Sequence, residues 1–318
     1  MSKPHAACGR LAIGPQATNL PHELVSANAY NVPMSTRREL LKSISLIAAL
    51  PATRLAARQL QAVGVQLYTV RTVLPQKPAE TLRAIEAIGY REIEPTYGGL
   101  DGLWPHIQAT HLKAVSVHLD NTLMNAGKED DLARAIDQVK AWGIGYAVFP
   151  YLPPAERGGL DKIRALADKL NRAGEKCRAA GIGFCYHNHA FEFEPMEGTT
   201  GFEVMIDRLD PKLCGFEMDC FWVSVAGRDP AALLQKLTGR VPLVHLKDKA
   251  PGTPVMFKES VDRAAFKEVG SGVLDWPAIL RAAAAAGVQH YFVEQDQTPG
   301  DPVESLRQSF GYLSKLQY

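Results

Sequence analysis

Four apolar segments of this sequence end in ionisable residues, and this pattern limits the folds that the chain can adopt. The first is the run 184–193, which contains His187 and His189 and follows a turn signal at residues 181–183. Three later segments end in the same way: 216–219, 243–248 and 291–294. In a β/α barrel the carboxyl ends of all strands meet at one mouth. The pattern therefore predicts a barrel enzyme whose strand ends bring several ligands to one metal.

From Gly64 onward the sequence alternates between strand and helix signals in eight units. The predicted strands are residues 63–70, 90–95, 112–119, 146–150, 183–189, 213–219, 241–247 and 289–294. The predicted helices are residues 79–88, 130–142, 160–180, 202–209, 230–237, 276–286 and 303–316.

The main alternative to a barrel is a doubly wound sheet, which usually carries a glycine-rich phosphate loop after its first strand. Residues 66–71 follow the start of the first predicted strand here, and they contain no glycine. Residues 63–318 also have the usual length of a TIM barrel. We therefore expect a single-domain α/β protein whose residues 63–318 form a (β/α)8 TIM barrel.

The balanced charge of the chain argues against a nucleic-acid partner. Its 318 residues include 35 lysines and arginines and 34 aspartates and glutamates, which gives a formal net charge of +1. Binding along a nucleic-acid backbone would need a basic face or stripe. No apolar run reaches the roughly 18 residues of a membrane-spanning helix. The sequence therefore predicts no nucleic-acid partner and no membrane span, and it leaves open whether the chain forms a homo-oligomer.

The N-terminal region has the pattern of an export signal. Arg37 and Arg38 are followed by a basic Leu-Leu-Lys segment, the apolar stretch 43–50 and small residues through Ala57. This order resembles a twin-arginine signal, which directs folded bacterial proteins out of the cytoplasm. We therefore expect a signal peptide at residues 34–57 and a periplasmic or exported protein. The alternative is a short amphipathic helix beside a basic turn.

Residues 1–33 precede this signal. Their mixture of Pro, Asn and Ala shows no helical or strand period. The signal would begin at Met34 rather than at Met1. We therefore expect residues 1–33 to be a disordered leader or to lie upstream of the true start.

Strand side chains alternate between two faces, so counting by twos shows which polar residues share the interior of the predicted barrel. The interior candidates are Glu92, Glu94, Ser116, His118, His187, His189, Glu217, Asp219, His245, Lys247, Glu294 and, just beyond the strand, Asp296. Burying so many ionisable groups is costly unless a metal, mutual pairing or solvent offsets the cost. Imidazoles mixed with carboxylates suit Mn²⁺, Fe²⁺, Co²⁺, Zn²⁺ or Mg²⁺ rather than a thiolate site.

Each of these residues also has a purely structural interpretation. A single histidine at a strand end is more often a hydrogen-bonded core residue than a ligand. Glu92 could belong to an ion pair beneath the site, and Lys247 could simply pair with its neighbours. Glu192 alternates with phenylalanines, as it would in an exposed loop. The ionisable residues that end three successive strands, however, are hard to explain as independent core residues.

At this point the sequence resembles a known family. From about residue 63 to the C-terminus it looks like the xylose isomerase-like TIM-barrel superfamily, the sugar phosphate isomerase/epimerase group. The matching segments are 64–71, Tyr186-His187-Asn188-His189, 244–248, and 268–272 leading to Asp275-Trp276. This ordered set is fairly specific for the superfamily, whereas it does not specify a substrate.

The resemblance implies one divalent metal, which members commonly hold with Glu, Asp, His and Glu from strands five to eight. The last three positions correspond to Asp219, His245 and Glu294. The first corresponds to His187, where many members have Glu. A histidine-rich fifth strand is more similar to inosose dehydratases and to lyases that act on 3-keto-glycosides. The predicted metal ligands are therefore His187, Asp219, His245 and Glu294.

These families remove a proton from a carbon next to a carbonyl. The resemblance therefore implies a sugar isomerase or epimerase acting on a keto-sugar, with a lyase that eliminates from 3-keto-glycosides or inosose as the alternative. The predicted catalytic residues are His187, His189, Glu192, Lys247 and Glu294, and Trp222 and Trp104 are candidates to stack on a sugar. Two further alternatives are a nuclease similar to AP endonucleases and a sugar-binding barrel without activity.

Overall fold

The computed structural model describes residues 58–318, which form a parallel eight-stranded barrel surrounded by helices. The strands are β1 (Gly64–Gln66), β2 (Glu92–Glu94), β3 (in two pieces, Lys113–Ala114 and Ser116–His118), β4 (Tyr146–Phe149), β5 (Gly183–His187), β6 (Gly215–Asp219), β7 (Leu243–Leu246) and β8 (His290–Val293). Each strand pairs with the next, and β8 pairs with β1. The predicted single-domain TIM barrel is confirmed.

The third strand joins its two neighbours through an interruption at Val115. The first piece of β3 pairs with β2, and the second pairs with β4. Val115 donates its N–H to Ile93 O at 3.2 Å, whereas its carbonyl accepts the N–H of Tyr146 at 3.1 Å. A bridge between Thr96 and His118 closes the upper part of this seam.

Nine α-helices connect and cover the strands in the described part of the chain. They are α1 (Pro78–Ile88), α2 (Leu100–Gln108), α3 (Glu129–Ala141), α4 (Leu160–Ala180), α5 (Gly201–Arg208), α6 (Cys220–Val225), α7 (Pro230–Lys236), α8 (Trp276–Ala286) and α9 (Pro302–Leu313). Asp229 and Asp301 cap the N-termini of α7 and α9, each followed by a proline at the first helical position. Gly181 and Gly287 end α4 and α8 at φ values of +81° and +89°, which glycine adopts without strain.

Three features of the chain differ from the predicted elements. The first predicted strand ends early, because residues Leu67–Val70 form a 3-10 helix. Helix α2 was not predicted, since Gly102 and Pro105 interrupt its helical pattern. Helix α6 follows β6 without a loop, and its six buried residues show no amphipathic period that would separate it from a strand.

The barrel interior contains a small apolar plug and, above it, a polar section. The plug consists of Val148, Cys185, Leu243 and Phe292, all of which are buried. The Phe292 ring lies against Gly64, where a Cβ would come within 2.5 Å of a ring carbon, so only glycine leaves room for the ring at this position. This plug closes one end of the barrel and forms a floor below the ionisable residues.

The predicted signal peptide and leader lie outside the described residues. The exported location therefore stays a prediction. Among residues 58–318, no helix is both long and apolar enough to cross a membrane.

Candidate active site

A cavity of about 660 Å³ opens at the carboxyl ends of the strands. Its walls include His118, Tyr151, His187, His189, Trp222 and Glu294. Loop residues Asp120, Glu259, Arg263 and Asp296 border it further out. The cavity thus lies where the strand ends converge, at the mouth predicted from the sequence.

The four predicted metal ligands converge beside this cavity, which His187 and Glu294 border and behind which Asp219 and His245 are buried. One donor atom from each of His187, Asp219, His245 and Glu294 lies within 4.8 Å of the other three, and all four residues are buried. We call this set the ligand cluster. The convergence follows from strand register, because β5, β6 and β7 are consecutive neighbours and Glu294 directly follows β8.

Asp219 is held in place by the turn between β6 and α6. Its Oδ1 accepts the N–H of Trp222 at 2.9 Å and so caps the N-terminus of α6. Its own N–H donates to Asn188 Oδ1 at 3.1 Å, which ties β6 to the end of β5. Its second oxygen, Oδ2, is buried and has no hydrogen bond of good geometry. The nearest cation to this oxygen is Lys247, whose Nζ lies 3.0 Å away.

Three further buried residues, Glu94, His118 and Glu217, lie against the histidines of the ligand cluster, and His118 also borders the cavity. We call these three residues the supporting layer. His118 Nε2 lies 2.7 Å from Glu217 Oε2 and 3.0 Å from Glu94 Oε1. Burial disfavours the protonated imidazole, but the two carboxylates outweigh it and raise the pKa of His118 to about 10. Within this layer, the positive charge of His118 therefore offsets the negative charges of Glu94 and Glu217.

The supporting layer also orients two members of the ligand cluster. His187 Nδ1 lies 3.0 Å from Glu217 Oε2, and His245 Nε2 lies 2.8 Å from Glu94 Oε1. When these nitrogens donate to the carboxylates, His187 Nε2 and His245 Nδ1 are left as acceptors for a metal. Partners of this kind fix the tautomer of metal-ligating histidines and raise their basicity.

Lys247 is enclosed beside the ligand cluster. Its Nζ lies 3.0 Å from Asp219 Oδ2, 2.5 Å from Glu294 Oε2 and 2.6 Å from Asp296 Oδ2. Burial disfavours the charged ammonium, but the three carboxylates outweigh it and raise the pKa of Lys247 well above its usual value. Lys247 is fully buried and does not border the cavity.

His189 lies in an aromatic part of the wall. Its ring centre is 5.2 Å from that of Tyr151, 5.0 Å from His187 and 5.4 Å from Trp222. Burial lowers the pKa of His189 to about 3, so the imidazole is neutral near pH 7. Its Nδ1 is buried without a hydrogen-bond partner. His189 therefore presents a neutral imidazole in the cavity wall.

Glu192 supports His189 from behind rather than facing the cavity. Its carboxylate accepts the backbone N–H of His189 at 2.9 Å and the hydroxyl of Tyr186 at 2.7 Å. Burial raises the pKa of Glu192 to about 7, although both hydrogen bonds oppose this shift. The sequence had suggested an exposed loop as the alternative for this residue, but Glu192 is fully buried.

Loop residues that the sequence analysis did not select form part of the entrance. Arg157 donates to Glu259 at 2.9 Å, which joins the loop after β4 to the loop after β7, and its guanidinium lies 3.6 Å above the Phe191 ring. Trp222 borders the cavity, as predicted, whereas Trp104 packs on Trp142 with ring centres 5.3 Å apart. Loops have no period, so hydrophobic patterning carries no signal for residues such as Arg157.

The donor set suits a divalent cation. Five carboxylates, those of Glu94, Glu217, Asp219, Glu294 and Asp296, surround one ammonium and the imidazoles of His118 and His245. Even with both of these imidazoles protonated, the negative charges are in excess. Carboxylates and imidazoles together suit first-row divalent metals. The residues present therefore fit the metal that the resemblance implies.

The family model for the xylose isomerase-like TIM barrel matches residues 82–316. The chain belongs to this family. The match confirms the resemblance drawn from the strand-end motifs, and it covers most of the described barrel. Family membership fixes the architecture and leaves the reaction to be argued from the site.

The match to curated relatives covers about half of the length of each relative. The chain is 28% identical over 158 residues to an inosose dehydratase from Geobacillus thermodenitrificans, covering 46% of this chain and 52% of that protein. It is 29% identical over 149 residues to an inosose dehydratase from Bacillus anthracis, covering 44% of this chain and 49% of that protein. The chain therefore spans about half the length of the curated relatives it matches.

Solved structures share the fold over most of the barrel. A sugar phosphate isomerase/epimerase from Parabacteroides distasonis superposes with a TM-score of 0.70 at 23% identity, covering 82% of this chain and 98% of that one. A 3-keto-D-glucoside 4-epimerase from E. coli superposes with a TM-score of 0.58 at 18% identity, covering 80% and 99%. At these identities the likeness concerns the fold alone.

Proposed function

We propose that this protein is a metal-dependent enzyme that removes a proton from the carbon next to a carbonyl group in a keto-sugar or a related cyclic polyol. The observation that carries the proposal is the ligand cluster. Its four buried donor residues converge beside a cavity large enough for a sugar, and two of them, His187 and Glu294, border that cavity. The names of the partial relatives support the same substrate class.

The residues of the chain would divide the work of this reaction. His187, Asp219, His245 and Glu294 would hold the cation. A divalent cation bound there would act as a Lewis acid on the carbonyl oxygen. His189 borders the cavity and its Nδ1 has no hydrogen-bond partner, so its position suits the group that would accept the proton.

The residues around the cavity would hold the sugar ring and keep water away from the reacting carbon. Trp222 and Tyr151 border the cavity beside His189 and supply aromatic faces for a sugar ring. The small solvent-facing area of the buried donors limits the water that reaches the reacting carbon. The proton would then return to a carbon, as in an isomerase or epimerase, or a β-substituent would leave.

Elimination is the second candidate outcome, and His187 favours it. An epimerase that exchanges protons through two carboxylates needs one on each face of the substrate. Here the fifth strand supplies an imidazole instead, bound to Glu217 at 3.0 Å. In an elimination, the electron pair from the broken C–H bond forms a C=C bond, and the β-oxygen leaves with a proton as water or as an alcohol. The inosose dehydratase names of the curated relatives agree with this outcome.

A nuclease is less compatible with the entrance of the cavity. Four carboxylates, those of Asp120, Glu259, Glu294 and Asp296, border it against one guanidinium, that of Arg263, and this excess of negative charge would repel a phosphate backbone. Arg157 is paired with Glu259. Incubation with a duplex that contains an abasic site should therefore give no cleavage under conditions in which a keto-sugar reacts.

The decisive experiment measures solvent deuterium exchange. Protein reconstituted with Mn²⁺, Co²⁺ or Zn²⁺ is incubated in D₂O with a panel of inososes, keto-sugars and 3-keto-glycosides. Deuterium at the carbon next to the carbonyl, detected by NMR or mass spectrometry, is the expected result. Released alcohol or an unsaturated product would assign elimination, and a changed configuration would assign epimerisation.

Two variants make this experiment specific to the ligand cluster. Asp219→Asn retains the helix cap of α6 but removes a ligand charge, whereas Asp229→Asn changes the equivalent cap of α7 outside the cavity. Exchange should be lost in the first variant and kept in the second. Metal-loaded wild type that exchanges no proton on any member of the panel would contradict the proposal, and so would full exchange by metal-free protein.

A further inference from the structure

The ammonium of Lys247 lies against two carboxylates of the ligand cluster. Its ammonium contacts Asp219 Oδ2 at 3.0 Å and Glu294 Oε2 at 2.5 Å, and both carboxylates are predicted ligands. The rings of Trp222 and Phe221 lie 5.6 and 5.9 Å from Nζ and enclose it. The side chain does not border the cavity in which a sugar would bind. Its effect must therefore pass through the carboxylates.

Asp296 is the third partner of Lys247, and it differs from the other two. It contacts Nζ at 2.6 Å but does not belong to the ligand cluster. Its side chain is 23% exposed and borders the cavity, whereas those of Asp219 and Glu294 are 0% and 7% exposed. Asp296 can therefore keep the ammonium paired when a metal occupies the oxygens of the other two.

We propose that Lys247 and Asp296 form a counter-ion pair that sets the affinity of the ligand cluster for divalent metal. Lys247 is a positioning residue that competes with the metal for Asp219 and Glu294. Asp296 reduces this competition, because it gives the ammonium a partner that is not a ligand. The inference rests on the proposed function, since it takes the ligand cluster to be the metal site.

The test measures metal affinity rather than turnover. Apoprotein is prepared with a chelator, and the Kd for Mn²⁺ and Zn²⁺ is measured by competition with a fluorescent chelator. Lys247→Met should bind metal at least about tenfold more tightly, because it removes a cation next to two ligand oxygens. Asp296→Asn should bind metal about tenfold more weakly, because Lys247 then pairs only with the ligands.

Two matched variants control for general charge effects. Lys249 lies two residues from Lys247 and donates to Ser224 O at 3.0 Å, so Lys249→Met removes a nearby cation that has no carboxylate partner in the cluster. Asp120 borders the same cavity as Asp296 but does not contact Lys247, so Asp120→Asn removes a comparable charge. Both controls should change the Kd less than about twofold.

A double-mutant cycle separates the pair from independent charges. If Asp296 acts through Lys247, Asp296→Asn should have no further effect in the Lys247→Met background. Additive effects would overturn the proposal, as would weaker metal binding by Lys247→Met. Should Lys247→Met fail to fold, as judged by circular dichroism, equal effects of Asp296→Asn and Asp120→Asn would overturn it.

The outcomes also distinguish this inference from the proposed function. Wild-type protein that binds no divalent metal would overturn both proposals. Wild-type protein that binds metal, together with unchanged affinities in Lys247→Met and Asp296→Asn, would overturn the counter-ion pair alone.

Discussion

The ligand cluster and the supporting layer contain the same kinds of side chain in different surroundings. In the supporting layer, Glu217 Oε2 lies within hydrogen-bonding distance of His118 and His187, and both carboxylates, Glu94 and Glu217, are fully buried. In the ligand cluster, carboxylate oxygens contact Lys247 next to an open cavity. The carboxylates of the supporting layer are paired with histidines. The carboxylates of the ligand cluster are paired with Lys247, which a metal can replace.

This difference indicates how the barrel tolerates so many buried charges. Carboxylates paired with imidazoles offset their desolvation cost within the protein. The cluster above them uses these pairs to orient its own imidazoles, and its remaining negative charge is available for a cation. Variants in the two layers should therefore have distinct effects on metal content, activity and stability.

The largest effect is expected for the ligand cluster. Asp219→Asn should lower turnover by about a thousandfold or more, because it removes a ligand charge and weakens stabilisation of the reacting oxygen. Elemental analysis should find it depleted of metal, while circular dichroism remains that of wild type. Retention of both metal and turnover would contradict the assignment of metal binding to the ligand cluster.

A smaller effect on metal binding is expected for the supporting layer. Glu217→Gln should weaken metal affinity by about 10- to 100-fold, because His187 loses the carboxylate that orients it. It should also destabilise the fold by roughly 3 kcal/mol in urea titrations, since His118 loses a charged partner. Glu92→Gln is the matched control, because Glu92 pairs with His290 at 2.9 Å outside both layers. Equal losses of affinity in the two variants would contradict a specific supporting role.

A pH effect is expected for Glu192, which supports the cavity wall. Burial raises its pKa from 4.5 to about 7. Its contribution to folding is therefore fully present below about pH 4.5 and declines as pH rises through about 7, by about 1.4 kcal/mol per pKa unit. The difference in unfolding free energy between wild type and the non-titrating Glu192→Gln should follow this decline in urea titrations between pH 4 and pH 8. A difference independent of pH would contradict it.

The smallest effects compare the two tryptophans. Trp222→Leu should raise KM several-fold with metal content unchanged, because Trp222 borders the cavity. Trp104→Leu should leave KM within about twofold of wild type, because Trp104 packs on Trp142 instead. Steady-state kinetics on the substrate found by deuterium exchange would measure both, and a larger change for Trp104 would contradict this assignment.

Much of the fold could be predicted from the sequence because the strands and helices have clear periods. The predicted boundaries of α4 and α8 agree with the structure residue for residue. Two helices were missed for physical reasons. Helix α2 contains Gly102 and Pro105, and α6 is buried on all sides, so its hydrophobicity has no helical period.

The site was predictable only in part. Counting by twos placed Glu217 and Asp219 on the same interior face, and both are fully buried there. The same count does not report depth along the barrel axis, so it could not separate Glu217, in the supporting layer, from Asp219 in the ligand cluster. The pair between Arg157 and Glu259 joins two loops, whose separation in space depends on tertiary packing alone.

The contact between His187 and Glu217 constrains how this sequence could diverge. His187 Nδ1 lies 3.0 Å from a Glu217 oxygen, a distance that an imidazole satisfies by donating a proton. A glutamate at position 187 would set two carboxylates against each other unless one of them were protonated. Ancestral lineages could therefore exchange histidine and glutamate at this strand end only when position 217 or its neighbours changed as well. These two sites are expected to co-vary across homologues.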